Sequence, residues 1–72
     1  MKLIELLESA RDAGYVRIEG NDGTVWDIEN FLSEVDLSEH DGDYVLQYDG
    51  RVLRVKDDGY LESVPSYRLL GK

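Results

Sequence analysis

The sequence predicts an α+β fold in which an N-terminal helix packs on a curved antiparallel β-sheet of about five strands. Three observations predict it. Apolar residues near the N-terminus recur at helical spacing. From Tyr15 onward the pattern changes to alternation. An Asp-Gly dipeptide then separates alternating runs at Asp22-Gly23, Asp49-Gly50 and Asp58-Gly59, and Asp-Gly is a strong turn signal between strands.

The helix is expected over residues 3–13. Leu3, Leu6, Leu7, Ala10 and Ala13 fall on one arc with Ile4 at its margin, and Glu5, Glu8 and Asp12 fall on the opposite arc. Glu5 near the start and Arg11 near the end both complement the helix dipole. Gly14 follows as the residue that closes the helix in a left-handed conformation. The acidic arc reads as a solvated face.

Residues 15–28 form the first hairpin, with a three-residue loop Asn21-Asp22-Gly23. That register sets Ile18 opposite Trp26, Val16 opposite Ile28 and Arg17 opposite Asp27. Residues 43–64 form a meander. A two-residue turn on Asp49-Gly50 pairs Tyr48 with Arg51, Leu46 with Leu53, Tyr44 with Val55 and Asp43 with Lys56. Tyr44, Leu46, Tyr48, Leu53 and Val55 then share a face. A three-residue loop at Asp57-Asp58-Gly59 sets Val55 against Leu61, Val52 against Val64 and Arg54 against Glu62. Pro65 ends that strand or marks an edge, and Ser66–Leu70 adds a short final strand. Between hairpin and meander, a short helix near 30–36 is expected, capped by Asn30 and carrying Phe31, Leu32 and Val35 inward. An irregular crossover is the alternative, and Ser38 to Gly42 reads as loop.

At 72 residues the chain is expected to form a single domain, residues 1–72. A chain of this size buries about 60% of the surface its unfolded form exposes, and its net stability scales to roughly 4–10 kcal/mol. Cysteine is absent, so no disulfide and no thiolate metal site is expected. The N-terminal residues lack the apolar stretch of a signal peptide. No run is long enough to span a membrane. The expected location is the cytoplasm, that of the host cell for a phage-encoded protein.

The chemistry-bearing residues argue against an enzyme. His40 is the only histidine, too few for a zinc site without cysteine. Ser38, His40 and Asp41 carry the letters of a hydrolytic triad but stand within four residues of one another, where the geometry is hard to build. Neither Gly23 nor Gly42 stands in a calcium-loop pattern, and no glycine-rich phosphate loop occurs. No cofactor and no metal are expected.

The functional signal is charge. The net charge is −8, and it is unevenly placed. Residues 1–17 hold three acids and three bases, residues 51–72 hold three acids and five bases, and Ile18 to Gly50 holds ten acids with no Lys or Arg. Direct nucleic-acid binding is disfavoured, because phosphates repel such a surface. A basic protein surface is the expected partner. Duplex DNA carries one negative charge per about 1.7 Å of axis, and a small rigid fold can imitate that lattice with fixed carboxylates. Glu29, Glu34, Asp36, Glu39, Asp41 and Asp43 are the densest candidates for partner binding. The function expected is that of a small inhibitor that mimics nucleic-acid charge and blocks the basic site of a nucleic-acid-binding protein or nuclease complex. Anti-CRISPR and anti-restriction proteins of phages and mobile elements use this strategy as a class, an analogy of size and charge only. The alternative is an accessory or antitoxin-like protein that binds through a sheet edge or an aromatic patch, with a homodimer through the Ser66–Leu70 strand as one form of it.

Overall fold

The computed structural model describes residues 1–37 and 40–72. Within them the chain runs α1 (Leu3–Asp12), β1 (Arg17–Gly20), β2 (Val25–Asp27), α2 (Ile28–Glu34), β3 (Tyr44–Leu46), β4 (Arg51–Arg54) and β5 (Tyr67–Leu70). This is the expected α+β class, two helices and an open five-stranded antiparallel sheet.

The apolar arc of α1 supplies Leu3, Leu6, Leu7 and Ala10, all buried. The helix stops where glycine permits: Gly14 sits at φ 111°, the Gly14 amide donates to the Arg11 carbonyl and the Tyr15 amide to the Ala10 carbonyl. These are the paired bonds of a Schellman end, which satisfy carbonyls the helix cannot. Ala13 lies exposed beyond that end rather than on the buried arc.

Strands lie in the order β2-β1-β5-β4-β3, so the last strand is the central one. β5 pairs with β1 (Ile18 opposite Leu69, Gly20 opposite Tyr67) and with β4 (Val52 opposite Tyr67). Following the registers, Trp26, Ile18, Leu69, Tyr67, Val52, Leu46 and Tyr44 share one face, and all of them pack with the helices in the core. Phe31 and Ile28 of α2 close the same core from above. The opposite face carries Arg17, Glu19, Asp27, Arg51 and Arg68 with Val25, Val45 and Leu70.

Several expectations need correction. The β3–β4 hairpin is one residue out of the expected register: Tyr44 pairs with Arg54, Val45 with Leu53 and Leu46 with Val52. Among the described residues no non-glycine has positive φ, so Asp49 does not take the conformation that a two-residue type I′ turn demands. Instead Tyr48-Asp49-Gly50 forms a three-residue loop closed by the Gln47 amide on the Arg51 carbonyl, with only Gly50 left-handed, at φ 91°. Tyr48 is therefore 97% exposed at the loop tip and Val55 is half-buried. Asp43 faces Val55 through the Val55 amide, not Lys56.

The meander also ends early. After the predicted loop, the chain keeps the Val55–Leu61 bridge and the Arg54–Glu62 pairing but forms no strand from there to Val64. Val64 is 63% exposed and Val52 faces Tyr67 instead. Finally, the Ser66–Leu70 segment is no edge. β5 has neighbours on both sides, so self-association by strand addition there is excluded. The edges are β2 and β3, and the β3 edge is covered at one end by the N-terminus: the Tyr44 amide donates to the Met1 carbonyl, and Lys2 bridges to Asp43.

The short helix near 30–36 begins two residues earlier, at Ile28. Its N-cap position is Asp27, without a side-chain cap bond, rather than Asn30. Phe31, Leu32 and Val35 point inward as expected.

Candidate functional site

Folding redistributes the acidic block. Asp27 lies 3.9 Å from Arg17, Asp49 lies 2.7 Å from Arg51, and Asp43 lies 3.6 Å from the N-terminal ammonium and 3.9 Å from Lys2. The bases come from outside the block, brought to it by the hairpin registers and by the N-terminus on β3. Asp22 is bound into its loop, where its Oδ1 accepts the Thr24 amide at 3.0 Å; that bond, first, and the Thr24 hydroxyl hold its carboxyl below the usual range.

Of the residues expected to bind the partner, Glu29 and Glu34 are exposed on α2 with no ion-pair partner among the described residues. They stand roughly 140° apart around that helix. Glu29 looks toward a cleft shared with Arg11, Tyr15 and Asn30. Asp41 is exposed, and its carbonyl accepts the Lys2 ammonium. Asp36 is exposed and engaged with a neighbour. Asp43 is the one held by the N-terminus and Lys2. Glu39 lies outside the described residues. The five described ones thus do not form one uniform free patch.

Sequence reasoning missed two contributors. Glu5 and Glu8 on α1 are exposed and likewise lack an ion-pair partner among the described residues, and α1 lies beside α2 on the same side of the sheet. The helical layer therefore carries exposed carboxylates on both of its helices. The signal was the acidic arc of the first helix, read only as a solvated face.

A second feature is a concave region around Tyr67. Trp26, Phe31 and Tyr67 stack edge to face, with ring centroids 6.2 Å and 5.5 Å apart in sequence along the chain of contacts. They line a groove of about 290 Å³ with Gly20, Asp22 and Thr24. Glycine at position 20 leaves the space opposite Tyr67 empty of side chain, and a Cβ there would come within 3.1 Å of Asp22 Oδ1, so the carboxylate leans over it. The Tyr67 hydroxyl meets His40 Nε2 at 3.2 Å. Desolvation, chiefly, raises the Tyr67 phenol above its usual range, and the nearby Tyr44 and Asp22 charges add to it. His40 Nδ1 is buried without a hydrogen-bond partner among the described residues. No group of three or more His, Asp or Glu among the described residues is placed to hold a metal ion, and no described helix is long and apolar enough to cross a membrane.

Comparison with family models, with curated proteins and with solved structures finds no match to this chain.

Proposed function

We propose that this chain is a small acidic protein-binding module whose carboxylates occupy the basic site of a nucleic-acid-binding protein and so inhibit it. The observation that carries the reading is the helical layer, where Glu5, Glu8, Glu29 and Glu34 stand exposed and without ion-pair partners on a molecule of net charge −8. Asp41 and Asp43 extend the acidic surface toward the β3 end of the sheet, and Asp36 is a further exposed carboxylate. Their weight is smaller, because Lys2 and the N-terminus already lie against part of it. A partner lined with Lys and Arg gains from meeting fixed negative groups that its nucleic acid would otherwise supply.

The test is capture from a bacterial lysate on the immobilised protein. Nucleic-acid-binding proteins are expected to bind at low salt, to leave at moderate salt, and to be displaced by added duplex DNA. The triple variant Glu29→Lys, Glu34→Lys, Asp41→Lys is expected to lose capture while keeping its fold, because none of the three side chains is buried. Capture that ignores both salt and competing DNA would overturn the reading in favour of binding through apolar or aromatic surface.

A further inference from the structure

The groove around Tyr67 combines features that the acidic surface alone does not explain. Three aromatic residues form its wall, although a core of this size gains more from burying them fully. Phe31 is buried, but Trp26 and Tyr67 are only half-buried and line the groove. The rim is the Asp22 carboxylate, tethered through Oδ1 to the Thr24 amide and leaning over Gly20. No Lys, Arg or N-terminus lies within ion-pair distance of Asp22 among the described residues.

Those features select a ligand class. An anion would meet the Asp22 charge, and a neutral apolar group would gain nothing from it. A cation meets both parts of the site favourably: the faces of Trp and Tyr attract it through the ring quadrupole, and the carboxylate pairs with it. We propose that the groove between Trp26 and Tyr67 receives an arginine or lysine side chain of the basic partner, with the aromatic rings as walls and Asp22 as counter-charge. The inference rests on the acidic-binder reading for the source of that side chain and adds its anchor point. The Tyr67 hydroxyl is held by His40 Nε2 at 3.2 Å. A planar guanidinium suits the groove better than an ammonium, because it can stack on a ring and donate to the Asp22 carboxylate at once.

The test uses the full chain, isotope-labelled, titrated with N-acetyl-arginine amide and separately with N-acetyl-glutamine amide. The arginine derivative is expected to give saturable shifts at the Trp26 indole and at the Asp22, Thr24 and Tyr67 amides, and the glutamine derivative none. Asp22→Asn keeps the acceptor for the Thr24 amide and removes only the charge, so an unchanged fold with affinity lowered about threefold is expected. Trp26→Leu is expected to lower it by about two- to fivefold. Shifts that do not saturate, that fall instead on the glutamates of the two helices, or that survive Asp22→Asn unchanged would overturn the groove. Loss of arginine binding together with intact salt-reversible capture would sink the groove alone. Arginine binding without any capture would leave the groove as a cation site and sink the wider reading.

Discussion

Gly50 meets two demands at one position. Its φ of 91° is open to glycine and strained for other residues, and a Cβ on it would stand 2.6 Å from the Leu69 carbonyl oxygen. The close approach is where the β3–β4 loop touches the central strand, with the Leu69 amide donating to the Gly50 carbonyl at 2.7 Å. Gly50→Ala is therefore expected to cost roughly 2–5 kcal/mol, the left-handed penalty plus the displacement of backbone. Gly59 has a similar φ of 87° but open space around it. Gly59→Ala is expected to cost only the conformational part, about 1–2 kcal/mol. Urea denaturation followed by Trp26 fluorescence separates the two, and equal losses would mean that the contact with β5 is unimportant. The turn at Gly50 was legible in the sequence. Its second role was not, because nothing in the local pattern says which distant strand will lie against a loop.

The same limit applies to whole elements. Three hairpin loops of the form x-Asp-Gly share one design: the glycine is left-handed, and the aspartate Oδ1 accepts the amide two residues on, at Thr24, Arg51 and Tyr60. Two were read correctly from charge pairing across the ladder. The third reads from the sequence as a two-residue turn because Asp-Gly is a strong signal for one, and that turn sets Leu46 opposite Leu53. In the structure Val52 and Leu53 are both buried, on opposite faces of β4, so apolar character could not decide the register. The place of β5 was illegible for another reason, since its alternation fits an edge or a centre equally well. Asp22 offers a direct check of the loop design. Its carboxyl is held below the ordinary aspartate range, so its contribution is present above that range and is lost as pH falls through the folded-state value. The stability difference between the natural protein and Asp22→Ala is then expected to be largest near neutral pH and to shrink in strong acid. A difference that is constant with pH would assign the effect to something other than the charged hydrogen bond.

At the scale of the molecule, the linear charge pattern and the folded charge pattern differ, because bases from both ends of the chain fold back onto the acidic stretch. These ion pairs, at 2.7–3.9 Å, are at the surface and contribute about 0–1 kcal/mol each. They leave the net charge of −8 untouched. Self-repulsion of the remaining carboxylates acts over about 8–10 Å at moderate ionic strength, so added salt relaxes it while weakening the few attractive pairs only modestly. The free protein is accordingly expected to gain stability between low and moderate salt, and a gain of about 0.5 kcal/mol would raise its midpoint by roughly 2–4 °C. A complex with a basic partner must respond in the opposite sense, since the same screening removes the attraction that forms it. The two slopes together form a stronger test than either alone. If thermal denaturation shows the midpoint falling with salt, the ion pairs outweigh the repulsion, the acidic surface is already neutralised from within, and little is left for a partner to relieve.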